Sequence, residues 1–273
     1  LTTHNILQIK IVTIDGEAVT IGSHGLDGPG LDLLALMTGS EGMLGIVVEV
    51  TVKLLPIPEQ VQVVPAAFDN IEKAGQAVSE IIAAGLMPAG LEMMDKATIK
   101  AAEDFIHAGY PDDAEAILLC ELDGSYAQVD EELKRAVALL TDSGAISISI
   151  AKSEQERKRL WAGRKAAFPA IGRLSPDYYC MDGTIPRRFL AKVLKGIAEL
   201  SAQYGLAVAN VFHAGDDNLH PLILYNADHP GELQKAERFG GDILKLSIAS
   251  RRRDDFRRTR YRCRKNQPYV HAV

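Results

Sequence analysis

The chain has 273 residues, 47% hydrophobic and 24% charged, the composition of a globular protein with room for one large or two modest domains. No run of eighteen apolar residues occurs, so no transmembrane helix is expected. Cys120, Cys180 and Cys263 stand far apart with no C-x-x-C, which argues against iron–sulfur ligation, a zinc knuckle or a disulfide framework and favours a reducing, cytoplasmic setting. The net charge of −6 conceals an uneven distribution. Residues 251–273 carry nine Lys or Arg and two Asp, and the remaining 250 carry 21 basic against 34 acidic residues, a net of −13. An acidic body suits neither nucleic acid nor an anionic membrane surface.

In chain order, residues 1–5 lack a basic segment followed by an apolar one, so no signal peptide is expected. Residues 6–14 and 17–21 are β-rich runs flanking Asp15-Gly16, a strong hairpin signal. A Gly/Pro-rich loop, 24–30, precedes a short predicted helix over 31–37 and a strand over 46–55. Pro56 and Pro58 mark a boundary, because neither can donate to a ladder. The pattern then alternates. Strands are predicted over 61–68, 88–94, 114–122 and 145–151, with helices over 71–84, 95–107 and 126–143. Ala74, Ala77, Val78, Ile81 and Ile82 share one face of the first helix, and Gly85 ends it. Two β-α-β units in succession predict an α+β, ferredoxin-like sheet with helices on one face. Further helices are predicted over 152–174, 186–205 and 232–248.

Between the last two helices, apolar runs over 206–211 and 221–225 flank His213-Ala214-Gly215-Asp216-Asp217-Asn218-Leu219-His220. This reads as strand, turn, strand, which can bring both imidazoles to one place at a sheet edge. Neutral imidazole is the commonest metal ligand, and two rings fixed by backbone make a half-site. A bare H-x6-H is more often two surface histidines beside a turn. A second candidate loop is Thr38-Gly39-Ser40-Glu41-Gly42-Met43-Leu44-Gly45-Ile46-Val47. Its glycines allow backbone to approach a flat ligand closely, although G-x-x-G-x-x-G alone equally fits a plain turn.

Together these stretches resemble the flavin-linked 2-hydroxy-acid oxidases and dehydrogenases, a family that includes the FAD-binding subunit of glycolate oxidase and D-lactate dehydrogenase. The first matches that family's H-x-G-D-G-N-L-H, with Asp217 where the family usually has Gly. The second matches its G-S-E-G-x-L-G-I-V. The stretch 175–186 is also similar, and the likeness runs to about Ser250. The resemblance implies residues 1–58 as the last part of an FAD-binding domain whose earlier half lies upstream, and 59–250 as the α+β cap or substrate domain. It implies FAD bound by Gly39, Ser40, Glu41, Gly42, Gly45 and Ile46, and a divalent metal, Zn or Mn, on His213 and His220. It further implies Asn218 as a catalytic residue of the hairpin and Arg164, within Trp161-Ala162-Gly163-Arg164, as the holder of a substrate carboxylate. A guanidinium suits that task through two parallel hydrogen bonds; the alternative is a solvated residue on a charged helix. The implied reaction is oxidation of a small 2-hydroxy acid. An iron–sulfur subunit would be the electron acceptor, and attachment to a membrane would be peripheral, through partner subunits.

The family's metal-binding Glu and catalytic base His lie in S-G-E-H-G-x-G after the last helix, and this chain has no such stretch. Read one base later, with CGG or CGA for arginine, residues 251–273 permit G-G-G-T-I-S-G-E-H-G-I-G-V-E-K-I-N-H-M-C-T-Q-F. Arg258 then stands at the Glu position and Thr259 at the His position. The tail is therefore expected to be a frameshift product, disordered and marginal to stability. Competing readings are a catalytically inactive fragment with a binding or subunit-association role, a nucleic-acid binder using the basic tail, and a metal hydrolase built on the two histidines.

Overall fold

A computed structural model of the chain describes residues 2–25 and 30–252. The central part of the 24–30 loop and the expectation of a disordered tail fall outside the described residues. The chain divides into two compact units, Leu1–Ile57 and Pro58–Val273.

Unit 1 starts with a helical turn, α1 (Thr2–Asn5), and strands β1 (Ile6–Val12) and β2 (Ala18–Gly22). The Asp15-Gly16 turn joins the strands: Gly16, at φ 81°, donates to the Thr13 carbonyl at 3.0 Å, and Val12 pairs with Ala18. Helix α2 (Leu33–Met37) opens on Asp32, whose carboxylate accepts from the Ala35 N–H. Strand β3 (Ile46–Val52) completes an antiparallel sheet of order β2-β1-β3. The unit's buried hydrophobic core is Ile9, Ile11 and Met37.

Unit 2 alternates strands and helices: β4 (Gln60–Phe68), α3 (Ile71–Ala83), β5 (Gly90–Asp95), α4 (Lys96–Ile106), β6 (Ala116–Gly124), α5 (Tyr126–Asp142), β7 (Ser147–Ile148) and α6 (Glu154–Ile171). It continues with β8 (Asp177–Cys180), β9 (Gly183–Thr184), α7 (Leu190–Tyr204), β10 (Val208–His213), β11 (Asn218–Tyr225) and α8 (Glu232–Arg252). Helices α3, α4, α5 and α6 each begin at a side-chain cap: Asn70, Asp95, Ser125 and Ser153 accept from the N–H of Glu72, Thr98, Gln128 and Glu156. Those bonds satisfy amides that a helix start otherwise leaves open.

The strands form one antiparallel sheet of order β7-β4-β6-β5-β10-β11-β8, with β9 pairing the start of β11. The order β7-β4-β6-β5 is the ferredoxin-like arrangement, with α4 inserted between β5 and β6. Strand β8, helix α7 and strands β10 and β11 repeat its first three strands, in the order β8-β11-β10. The two halves meet where β5 pairs β10.

Alternation along β4 explains the layering. Val64, Ala66 and Phe68 join one core with α3, α5, α7 and α8. Val63 and Ala67 join a second core with α4 and α6. Helices therefore cover both faces, not one as the βαβ pattern predicts, because α4 and α6 follow connections that cross to the opposite side. Other differences are local. The strand predicted over 145–151 is a two-residue ladder, continued by backbone bonds from Ser149 to the Pro65 carbonyl and from Ala151 to the Val63 carbonyl. Strands β8 and β9 are too short and polar to show periodicity. No helix among the described residues is long and apolar enough to cross a membrane.

Asp95 closes the seam between the halves. Its Oδ1 caps α4, and its Oδ2 accepts from both the backbone N–H and the Nδ2 of Asn210, each at 2.8 Å. Thr98 Oγ1 donates back to the Asn210 carbonyl. The Asp95→Ala variant loses the cap and strands two buried donors, so it is expected to be destabilised by about 2–4 kcal/mol in urea unfolding.

Candidate active site

The site lies on the α6 face of the sheet, at the end of the β10–β11 hairpin. His213 pairs Asn218 across the ladder and His220 pairs Val211, which puts the two imidazoles diagonally on one face. Their ring centroids are 5.3 Å apart at 87°. The turn between them is a 3-10 turn, Ala214–Asp216, closed by Asp217 at φ 65° and ψ 12°. This is the position where the sequence raises the question of a positive φ, and Asp217 does adopt one. Arg187 bonds the Gly215 carbonyl through Nε at 3.0 Å and Nη2 at 2.5 Å, with Nε also 3.1 Å from Asp217 Oδ1.

Glu92, on β5, is the residue that sequence reasoning missed. It sits directly opposite His213 in the β5–β10 ladder. Its Oε1 lies 2.8 Å from His213 Nδ1. Its Oε2 accepts from Arg164 Nε at 3.0 Å and lies 2.8 Å from Arg164 Nη2. Arg164 is 6% exposed and Glu92 8%, so the solvated reading of Arg164 is overturned. Helix α6 comes this close because Gly163 packs on Tyr110 and Ala108, where any Cβ would overlap both. Trp161 Nε1 anchors the preceding turn on Glu121 Oε2 at 2.5 Å. Phe168, one turn beyond Arg164, meets His220 edge-on at 6.4 Å.

The bonds of the two rings constrain their tautomers. Asn218 Nδ2, a donor, faces His220 Nε2 at 3.3 Å. The proton of neutral His220 thus belongs on Nδ1, with a lone pair on Nε2. Burial holds the His220 pKa below its ordinary value; nearby Asp182 opposes this, and His213 and Arg164 add to it. His213 is different, with a side chain 47% exposed. Among the described residues no three His, Cys, Asp or Glu side chains are grouped to hold a metal ion. Beside the two imidazoles, Glu92 is already engaged on both oxygens.

In unit 1 the second candidate loop carries a run of positive φ values: Gly39 82°, Glu41 53°, Gly42 77° and Gly45 154°. Its glycines divide into two kinds. A Cβ on Gly39 or Gly42 would meet nothing within 4 Å, whereas one on Gly45 would press on the Val12 carbonyl at 3.1 Å. Gly39 and Gly42 thus leave open space above the backbone, and Gly45 is required by packing. Ser40 is half-buried beside them and Ile46 is exposed.

Residues 57–251 match the family model of FAD linked oxidases, C-terminal domain. The chain belongs to this family. It is 64% identical over 248 residues to the glycolate oxidase subunit GlcD of Escherichia coli strain K12, covering 91% of this chain and 50% of that protein. It is 32% identical over 235 residues to the D-lactate dehydrogenase of Anaerostipes hadrus, covering 83% and 50%. The chain thus spans about half the length of the relatives it matches. Its fold is shared with 4-ethylphenol oxidase from Gulosibacter chungangensis at a TM-score of 0.67 and 14% identity, over 90% of this chain and 56% of that one.

Sequence spacing could not have found Glu92, which is 121 residues from His213. The available signal was a lone carboxylate inside the apolar stretch Leu91-Glu92-Met93-Met94. Asp182 and Arg187 lie in the 175–186 stretch and just beyond it, and they carried no spacing signal.

The Arg164→Met variant leaves Glu92 buried without its cation and is expected to lose about 3–5 kcal/mol of stability. Adding Glu92→Leu should recover most of that loss in denaturant titration, since a buried ion pair is often replaceable by apolar residues. A pH effect follows from His220. Its folded pKa lies below the ordinary 6.5, so the unfolded chain takes up the proton first. Stability from this residue is therefore full above about pH 6.5 and falls as pH drops through the window beneath it. His220→Gln should flatten that part of the thermal-stability profile.

Proposed function

We propose that this chain is the catalytic and cap half of an FAD-dependent oxidase of a small 2-hydroxy acid, glycolate or D-lactate. The observation that carries this is the grouping of Arg164, His213, His220 and Asn218 around Glu92 and the β10–β11 hairpin, in a chain of the FAD linked oxidase family. Residues 1–58 are, in this reading, the last part of an FAD-binding domain. The open backbone at Gly39 and Gly42, flanked by Ser40, Glu41 and exposed Ile46, fits close approach of a flat cofactor edge. FAD, when bound, supplies the two-electron acceptor for the hydride leaving C2 of the substrate. His213 and His220 would offer two nitrogen donors to a divalent ion, Zn or Mn, His220 through the Nε2 that Asn218 Nδ2 otherwise faces, and the ion's chemistry would be Lewis acidity toward the hydroxyl.

The chain's own residues bind and orient. Glu92 takes the Nε of Arg164 in a hydrogen bond and lies 2.8 Å from Nη2, and the remaining N–H groups of the guanidinium are the ones a substrate carboxylate would meet. Asn218 Nδ2 fixes the His220 ring and stands beside the place where the hydroxyl would lie. Oxidation releases the hydroxyl proton, and in the family that proton goes to the His of S-G-E-H-G-x-G. Here Thr259 holds that position, and the frameshift account of residues 251–273 explains why. The word subunit in the name of the E. coli relative supports a partner, which this reading takes to be an iron–sulfur electron acceptor. The reading also takes the enzyme to be cytoplasmic, held at a membrane only through such partners.

A chimera tests the proposal. Residues 1–250 are placed between the N-terminal half and the C-terminal segment of the E. coli relative. Glycolate or D-lactate is expected to bleach the flavin of the chimera, and Arg164→Ala within it to lower kcat/KM by about 100-fold or more, the loss of a charge-assisted bidentate contact. The 273-residue chain alone should purify without stoichiometric flavin and give no turnover. Full activity of the chain alone with added FAD, or a chimera inert toward both acids, would overturn the reading.

A further inference from the structure

We propose that Glu92 is a positioning residue that sets the tautomer of His213, holding its proton on Nδ1 and its lone pair on Nε2. The proposal rests on the reading of His213 and His220 as a site, and it deepens it by naming the group that puts the lone pair of His213 on Nε2. Three observations combine. Glu92 Oε1 is 2.8 Å from His213 Nδ1. Glu92 Oε2 is held by Arg164, within 3.0 Å of Nε and 2.8 Å of Nη2. The carboxylate is buried, so water competes little for its two oxygens.

The chemistry is an accounting of donors and acceptors. A guanidinium carries donors only, and a carboxylate carries acceptors only. With Arg164 committed to Oε2, Oε1 faces His213 as an acceptor. It therefore selects the N–H form of Nδ1. A neutral imidazole has one N–H, so Nε2 becomes the lone-pair nitrogen. His220 reaches the same state differently, through Asn218 Nδ2. Both rings then present Nε2, by independent means. Among the described residues His213 has no other hydrogen bond to fix it, so its tautomer depends on Glu92.

Glu92→Gln separates this role from a purely structural one. Glutamine keeps the size of the side chain but offers one acceptor and one donor. Arg164 cannot accept a hydrogen bond, so the glutamine oxygen turns to Arg164 and the amide nitrogen faces His213. That N–H donates to Nδ1, and the His213 proton moves to Nε2. Glu92→Asp retains two acceptors and should retain the native tautomer. An ion pair that merely pins α6 to β5 would leave His213 unchanged in all three proteins.

The test uses the full 273-residue chain labelled with 15N-histidine, at about pH 8.5, well above the ordinary imidazole pKa near 6.5. Signals of His213 are assigned by their loss in His213→Ala. The expected result is Nδ1–H in the parent chain and in Glu92→Asp, and Nε2–H in Glu92→Gln. Circular dichroism should show each variant folded. A parent chain already in the Nε2–H form, or a Glu92→Gln chain still in the Nδ1–H form, overturns the proposal. In parallel, Zn²⁺ titration by calorimetry should show affinity falling about 10- to 100-fold in Glu92→Gln, the usual cost of losing an outer partner of a metal-binding histidine. If the parent chain binds no Zn²⁺ while the tautomer responds as described, the metal reading falls and the positioning role stands. If Zn²⁺ binds equally to parent and Glu92→Gln, the positioning role falls and the metal reading stands.

Discussion

The short ladder between β5 and β10 is the constraint on which the site depends. Three residue pairs, Val211 with Met94, Phe212 with Met93 and His213 with Glu92, join two ferredoxin-like halves into one sheet. Because side chains alternate along a strand, a one-residue slip in this ladder would turn Glu92 and His213 to opposite faces. The register is held from both sides. Met93 and Phe212 are buried in one core, and Met94 and Val211 in the other. Asp95 then locks the strand end to Asn210. Its carboxyl has a raised pKa because burial outweighs the hydrogen bonds from Thr98 and Asn210 that favour the charged form. The seam thus accepts an electrostatic cost next to the site, and the return is a fixed position for Glu92.

Much of the second unit was legible in the sequence because its signals are local. The helix over 71–84 follows from Ala74, Ala77, Val78, Ile81 and a glycine stop, and α3 runs Ile71–Ala83. The histidine hairpin follows from two apolar runs around a Gly-Asp turn, and β10 and β11 place both rings on one face. The layering was not legible. Whether α4 and α6 cover the same face as α3 depends on crossovers, and an apolar stripe on a helix does not say which side of a sheet it meets. Arg164 was ambiguous for a similar reason. On a helix as charged as Glu154–Ile171, its burial follows from Gly163 and from Glu92, neither of which marks it in sequence.

Unit 1 follows a different physical logic. Its strand β3 is rich in β-branched residues, as a buried strand should be, yet Ile46, Val47, Val48, Val50 and Val52 are all exposed. Its core of Ile9, Ile11 and Met37 is small for its length. A sheet with this composition gains most of its stability from whatever covers it, since each large aliphatic side chain contributes about 1.5–3 kcal/mol on burial. Unit 2 has two extensive cores of its own and does not share this dependence. The two units therefore differ in how far the residues within each can stabilise it.

The hairpin turn shows how a departure from the family pattern can be accommodated. The family's glycine would adopt the left-handed conformation freely, but here Asp217 does so at φ 65°. An L-residue pays about 1–2 kcal/mol for that region, and Asp somewhat less than most. Local surroundings hold the turn regardless. The Asp217 carbonyl accepts from the Ile185 N–H, its side chain lies 3.1 Å from Arg187, and Arg187 also bonds the Gly215 carbonyl. Asn218, the next residue, pairs Thr184 on β9 as well as His213 on β10. The ion pair alone, being partly exposed, is worth less than about 1 kcal/mol and would not compensate. The combination does, because every bond that holds Asp217 also holds the strand ends carrying His213 and Asn218. The strain is confined to one residue of the turn, and the ladder that positions the two imidazoles continues unbroken on both sides of it.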